Sequence, residues 1–273
     1  MRPERDNIGA PDLPAELAWI GGAPASMPAL TAKGPVLVHF FDYAQLNSVR
    51  TLPYLTEWSR RYREAGMRTI GVQAPRFPFG ADPTKVAPGL DELGIDFPVA
   101  IDAERELWHA YGCRGWPSLF LWGTGGALSW FHFGEGEYRA TEEAIQEELR
   151  NLDALQTLPE PMAPLRPSDA PDAKVMPPTE EVFPGGSWER AWTAGEDGDK
   201  LSLEYAAGGG YATVEGSGTL AVSLDDDEPR NLLIDGARLY PFAEHRGHES
   251  HHLELQPSEG LRIWSISFAA GVP

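Results

Sequence analysis

The fold class this sequence predicts is an α/β domain followed by an all-β sandwich or jelly roll, and three observations predict it. Strand-like and helix-like segments alternate between about residues 35 and 155. Residues 158–184 are dense in Pro, Asp and Glu. Beyond them come short runs of alternating polarity, divided by regular turn signals and without a helical period. Alternating elements point to a sheet with helices on its faces, and short strands between turn residues point to a sandwich. The expected boundaries are 1–157, a linker over 158–184, and 185–273.

The elements follow in order. "PVLVHFF" is a continuous apolar run of the kind buried on both faces in a central strand. From 44 to 65 the apolar residues Leu46, Val49, Leu52, Leu55, Trp58 and Tyr62 recur at spacings of three and four, which predicts a helix. "RTIGVQA" predicts a second strand, "PTKVAPGLDELG" a Pro-interrupted helical stretch and "DFPVAID" a short strand. "AERELWHAYG" is a helix closed by Gly112, a residue suited to the left-handed terminator position. "SLFLW" and "ALSWFHF", parted by "GTGG", predict an antiparallel hairpin. "RATEEAIQEELRNLDAL" is a last helix with its acids toward the N-terminus, where the helix dipole favours them. The Pro-rich stretch predicts an extended, semi-rigid tether with little packing of its own. After it, "KLSLEYA", "GYATVEG", "GTLAVSL", "NLLIDG", "RLYPF", "HHLELQP" and "LRIWSISFA" are the predicted strands.

Composition bounds the function. The 41 Asp and Glu against 22 Lys and Arg leave a net charge of −19, which repels phosphate backbones and anionic lipid, so neither nucleic acid nor membrane is an expected partner. One cysteine, Cys113, excludes an intrachain disulfide and a cysteine-rich metal site. The first twenty residues lack the apolar core of a signal peptide, and no stretch approaches the roughly 20 apolar residues of a membrane span. The expected location is cytoplasmic.

Four linked motifs carry a resemblance. "YAQLNSVRTLPY" is similar to the pattern Y-S-C-x-N-C-x-R-T-L-P-Y found in thioredoxin-like domains of the TlpA/DipZ type, with Gln45 and Ser48 in the two cysteine positions. "GVQAPRFPF" resembles that group's G-V-x-x-P-E-F-x-F, with Arg76 in place of the acid. "YGCRGWPSLFLW" resembles the loop ahead of its cis-proline strand, which makes Trp116–Pro117 the implied cis peptide, and "HFGEGEY" resembles the turn that follows. The likeness covers about 10–155 and implies a thioredoxin-like fold. The β half looks like the carbohydrate-binding-module-like jelly roll that follows thioredoxin in DipZ proteins.

The family's chemistry needs a thiolate, lowered in pKa at a helix N-terminus, to attack a disulfide and a second thiol to release it. Gln45 offers no nucleophile, and the Ser48 hydroxyl forms no exchangeable disulfide. Where thioredoxins often keep a buried acid, this chain has His39. The resemblance would set Asn47, Arg50, Tyr54, Arg76, Trp116, Pro117, Glu135 and Glu137 around the vacant corner, either as a structural frame or as a groove receiving extended polypeptide.

Other candidates have a plainer reading beside the functional one. Cys113, next to Arg114, is a candidate for single-cysteine peroxidase or oxidoreductase chemistry; the plainer and favoured reading is a small buried hydrophobe. In "EHRGHESHH", His245, His248 and His252 are the metal candidates: a hairpin would set His245 against His252, suiting Zn²⁺ or Ni²⁺. The favoured alternative is a polar turn entering a strand on which His251, Leu253 and Leu255 share one face. "DDDEP" lacks the spaced ligands of a calcium loop and is expected to be a solvated hairpin tip. Trp188, Trp192, Tyr205, Tyr211, Tyr240 and Trp264 would form a sugar-stacking platform if exposed, and are expected to be mostly core. No cofactor is expected. The functional expectation is a redox-inactive protein-binding or scaffolding module with a protein or peptide partner at the cis-proline groove; the alternatives are Cys113 enzymology and carbohydrate binding by the β domain.

Overall fold

The structure is a computed structural model describing residues 1–3, 8–14, 16–196, 199–225 and 227–273. Two compact units emerge: Met1–Tyr43, Asn47–Pro75 and Gly80–Leu165 form the first, and Ala44–Leu46, Arg76–Phe79 and Arg166–Pro273 the second.

The first unit runs β1 (Ala18–Ile20), α1 (Met27–Thr31), β2 (Val36–Phe41), α2 (Leu46–Tyr62), β3 (Arg68–Gln73), α3 (Pro83–Glu92), β4 (Val99–Ile101), α4 (Glu106–Ala110), β5 (Ser118–Trp122), β6 (Leu128–Phe133) and α5 (Tyr138–Leu152). Its sheet has the order β1-β4-β3-β2-β5-β6. β2 pairs parallel with β3 and β3 with β4, while β5 lies antiparallel to β2 and β6 to β5. Parallel neighbours joined through helices, then an antiparallel hairpin, make the thioredoxin-like α/β pattern. All six β2 residues are buried, as the unbroken apolar run predicts. Gly112 takes φ +68 just past α4, the left-handed turn that ends a helix. The Trp116–Pro117 peptide is cis.

Helix α5 departs from its sequence reading. Its first turn holds no acid, and Glu137 precedes it at φ +50. The acid that matters, Glu142, is 1% exposed and accepts from Arg61 Nη1 at 2.8 Å, the Tyr62 hydroxyl at 2.6 Å and the Met162 N–H at 2.8 Å. Its position serves cross-helix bonding rather than the helix dipole.

The second unit is all-β: β7 (Trp192–Thr193), β8 (Leu201–Glu215), β9 (Ser217–Leu224), β10 (Arg230–Asp235), β11 (Arg238–Pro257) and β12 (Arg262–Ala269), in the order β10-β9-β11-β8-β12-β7, every pair antiparallel. It forms a sandwich-like sheet around one core that includes Tyr205, Val214, Leu220, Phe242, Leu255 and Ile266. Two pairs of predicted strands are fused. "KLSLEYA" and "GYATVEG" lie on the single 15-residue β8, and "RLYPF" and "HHLELQP" on the 20-residue β11. Gly208, Gly209 and Gly210 read as a turn in the sequence but continue the strand. A side chain at Gly210 would lie 2.2 Å from the Phe242 ring, so packing demands the glycine there.

The Pro-rich stretch is extended, apart from a one-turn 3₁₀ helix at Pro167–Asp169, yet it is not loose. Within the first unit the Gln146 side chain donates to the Pro159 carbonyl, and the Leu165 N–H to the Tyr54 hydroxyl. Within the second, the Met176 and Thr179 N–H groups donate to the Gly271 and Ala206 carbonyls, and Val182 forms a bridge with Ile266. Backbone groups that face protein rather than water must find partners, and these do. Among the described residues no helix is long and apolar enough to cross a membrane.

Candidate functional site

The corner where strand β2 hands over to helix α2 carries Gln45 and Ser48, the two positions at which the resemblance would set cysteines. Ser48 is fully buried, and its Oγ accepts the Asp42 backbone N–H at 3.2 Å. The hydroxyl therefore ties the strand end to the first turn of the helix. Gln45 is 8% exposed. Asn47 is the second residue of α2, so it sits inside the helix rather than at its cap; its carbonyl accepts from the Thr51 hydroxyl at 2.8 Å.

His39 is fully buried on β2, stacked on Phe41 at 5.8 Å, and neither ring nitrogen has a hydrogen-bond partner. Burial alone lowers its pKa to about 3, because nothing nearby repays the lost hydration of the imidazolium. A neutral, enclosed ring is its state at ordinary pH.

Around this corner the structure joins several motif residues. Arg50 Nε donates to Glu135 Oε1 at 2.6 Å in a mostly buried ion pair, and the Tyr138 hydroxyl reaches the same oxygen at 3.3 Å. Tyr138 in turn stacks on Tyr54 with ring centroids 3.7 Å apart. Trp116 Nε1 donates to the Ala74 carbonyl at 2.7 Å, and its ring stacks on Trp108 at 5.2 Å. Two buried residues escaped the sequence reading. The Gln73 side chain accepts the Tyr43 N–H at 2.9 Å, and Asp102 accepts the N–H groups of Leu107 and Trp108 at 3.1 and 2.7 Å. An Asp four residues before a helix was the available signal for the second; a lone Gln at a strand end gives none.

Cys113 is 6% exposed within a core that includes Val38, Phe40, Tyr111 and Phe120. Burial pushes its thiol up to about 12, against a smaller opposing hydrogen bond with Ser118. At neutral pH that leaves roughly one molecule in 10⁵ as thiolate, the form that nucleophilic chemistry needs.

Arg76 is placed by its own unit's contacts. It belongs to the second unit, where its Nη1 pairs with Glu181 at 2.6 Å and its guanidinium lies 5.0 Å from the Phe183 ring centroid. In the same unit the Ala44 carbonyl accepts from the Thr213 hydroxyl at 2.8 Å, and Trp264 lies 6.0 and 5.8 Å from Phe77 and Phe79. Of the six aromatic rings suggested as a sugar platform, Trp192, Tyr205, Tyr240 and Trp264 are all buried, while Trp188 and Tyr211 are half-buried.

The histidine cluster forms, but with a different membership. The segment is an irregularity within β11, not a hairpin, and it sets His245 beside His251 with rings stacked 4.3 Å apart. His252 is engaged elsewhere, its Nδ1 with Glu204 at 2.8 Å and its Nε2 with Ser202 at 3.1 Å. His248 is not part of the group that His245, Glu249 and His251 make. Burial, then the neighbouring His251, lowers the pKa of His245. In "DDDEP", Asp226 lies outside the described residues, and Asp225 bonds His251.

No family model matches the chain. Protein DipZ from Mycobacterium bovis and from Mycobacterium tuberculosis are each 30% identical to it over 301 aligned residues, covering 95% of this chain. The chain spans only 42% of those relatives' length. Among solved structures, a putative thiol:disulfide interchange protein DsbE from Chlorobium tepidum is 21% identical, covering 53% of this chain and 98% of its own, with a TM-score of 0.47. A thiol-disulfide isomerase from Corynebacterium glutamicum is 23% identical, covering 51% and 96%, with a TM-score of 0.46. Over nearly its whole length the chain is similar to DipZ, and it combines a thioredoxin-like α/β fold with an antiparallel β domain and has no CxxC pair.

Proposed function

We propose that the protein is a redox-inactive binding module built on a thioredoxin-like frame. The observation that carries this reading is the state of its sulfur: the two exchange positions hold Gln45 and Ser48, and the single thiol, Cys113, is buried with its pKa raised to about 12. Disulfide exchange needs an accessible thiolate and a second thiol to resolve the mixed disulfide, and the chain supplies neither. The burial of Cys113 weighs against a peroxidase, and the burial of Trp192, Tyr205, Tyr240 and Trp264 against an aromatic sugar platform.

What remains at the corner is a rigid frame: the Arg50–Glu135 pair, the Tyr54–Tyr138 stack, and Trp116 fixed by Ala74 and Trp108. Such a frame suits an extended polypeptide laid along the Trp116–Pro117 segment, with main-chain bonds giving affinity. Arg50 and Glu135 engage each other, and Arg76 and Ala44 are engaged within the second unit, so this reading centres the partner's contacts on the Trp116–Pro117 segment.

Two measurements test the reading. Insulin-disulfide reduction and peroxide consumption by the purified protein should equal the buffer blank; turnover that disappears in Cys113→Ser overturns the redox-inactive half. Tryptophan fluorescence titrated with reduced, carboxymethylated insulin B chain as a model extended polypeptide should saturate in the wild type and not in Trp116→Ala. An unsaturable response in the wild type up to millimolar peptide overturns the binding half.

A further inference from the structure

We infer that His245, Glu249 and His251 form a site for a divalent first-row transition metal, with Zn²⁺ the best-suited ion. One ligand atom from each of the three lies within 4.8 Å of the others. The site is a product of backbone geometry. On a regular strand, residues 245 and 251 point to the same face but stand about 20 Å apart. Here Glu244 pairs with Gly209 and Glu249 with Ala207, so four residues of β11 bulge out opposite Gly208 alone. The bulge folds the strand back on itself and closes the two imidazoles to 4.3 Å. Glu249 Oε1 accepts the Arg246 N–H at 3.2 Å and braces the turn from inside. The His248 N–H donates to the Val272 carbonyl at 2.8 Å and anchors its outer side.

The hydrogen bonds around the cluster suit a cation. His251 Nδ1 meets Asp225 Oδ2 at 2.6 Å. Asp225 is itself held by the His252 N–H at 2.8 Å, on its other oxygen. With the ring proton on Nδ1, His251 Nε2 carries a lone pair. That nitrogen is buried, has no hydrogen-bond partner, and stands 3.6 Å from Glu249 Oε2. Two electron-pair donors then face each other across 3.6 Å. A metal ion answers that arrangement, and Asp225 takes the place usual for the carboxylate behind a metal-bound histidine. On the other side the Tyr205 hydroxyl, 2.9 Å from His245 Nε2, fixes the orientation of the second ring.

Two imidazoles and one carboxylate, with a fourth position for water, are a borderline-soft set that suits Zn²⁺ far better than Ca²⁺ or Mg²⁺. Tetrahedral ligands around Zn²⁺ sit about 3.3 Å apart. Rotation of the exposed Glu249 side chain and a slight splay of the ring stack supply the contraction. The chain's charge of −19 raises the local concentration of cations.

The test uses the full chain, freed of any affinity tag and stripped with chelator. Isothermal titration with Zn²⁺ should give one site per chain, and Co²⁺ should give the visible absorption of a four-coordinate ion. Glu249→Gln, which keeps an oxygen to accept the Arg246 N–H and removes only the anionic ligand, should weaken Zn²⁺ at least tenfold with little change in the melting temperature of the metal-free protein. His251→Ala should abolish binding, Asp225→Asn should weaken it tenfold to a hundredfold, and His252→Ala should leave it intact. The inference is overturned if the wild type takes up no stoichiometric Zn²⁺, or if binding survives both Glu249→Gln and His251→Ala. It is also overturned if ¹⁵N shifts identify His251 as an imidazolium at pH 7.5 that Zn²⁺ does not perturb.

Discussion

Ser48 Oγ accepts the backbone N–H of Asp42 at 3.2 Å, joining two buried residues on either side of the strand-to-helix corner. Serine at this position is a working part of the fold. Ser48→Ala should therefore cost about 1–3 kcal/mol, the range for a buried donor deprived of an acceptor, read as a lower urea midpoint at constant slope. Gln45→Cys with Ser48→Cys should give a chain that closes a disulfide and reduces insulin measurably. A folded double variant with no such activity would mean that the corner has lost redox geometry as well as sulfur.

His39 predicts an acid-sensitive core. Its folded pKa of about 3 lies below the unfolded value of about 6.5, so between those limits the unfolded chain binds the proton more readily. Its contribution to stability is complete above about pH 6.5 and is lost as pH falls toward 3, amounting to on the order of 4 kcal/mol. Urea unfolding at steps between pH 7 and 4 should follow that fall. His39→Leu should flatten the part of the curve that this ring causes.

Glu142 gathers Arg61, Tyr62 and the Met162 amide around one buried carboxylate. Glu142→Ala leaves the Tyr62 hydroxyl and the Met162 N–H without their acceptor and Arg61 with only its longer contact to Glu57, and about 1–3 kcal/mol should be lost. Glu142→Gln keeps the shape and should cost less. Thermal unfolding of the two variants, side by side, separates charge from packing.

Gly271 passes so close to the β11 bulge that a Cβ there would lie 2.9 Å from both the Cα and N atoms of His248. Backbone cannot yield as a side-chain end can, so Gly271→Ala should destabilise the β domain by about 1–3 kcal/mol. If the bulge is displaced, Zn²⁺ affinity should fall with it, which titration of the folded variant measures.

Local patterns were legible and distant pairings were not. The apolar run of β2, the three-and-four spacing of α2, Gly112 after α4 and the glycine-rich turn between β5 and β6 each announce themselves within a few residues. The glycines at 208–210 misled, because they serve close packing in a continuous strand rather than a reversal. The acids of α5 misled too, since Glu142 answers to Arg61 across 81 residues. The same holds at the sites. The loss of sulfur is visible in the letters alone, while the pairing of Arg76 with Glu181, 105 residues away, is not. The histidines could be seen to be close in sequence; that Glu249 and Asp225 complete the group depends on a bulge and on a neighbouring strand end.

That bulge makes the cluster depend on chain length as much as on residue identity. Strand side chains alternate, so deleting Arg246 or Gly247 from the bulge would offset the two arms of β11 by one step. With the pairing of His251 to Tyr205 preserved, His245 would then swing to the opposite face, although every histidine was still present. A homologue that keeps both histidines but spaces them one residue closer has, on this geometry, already given the site up.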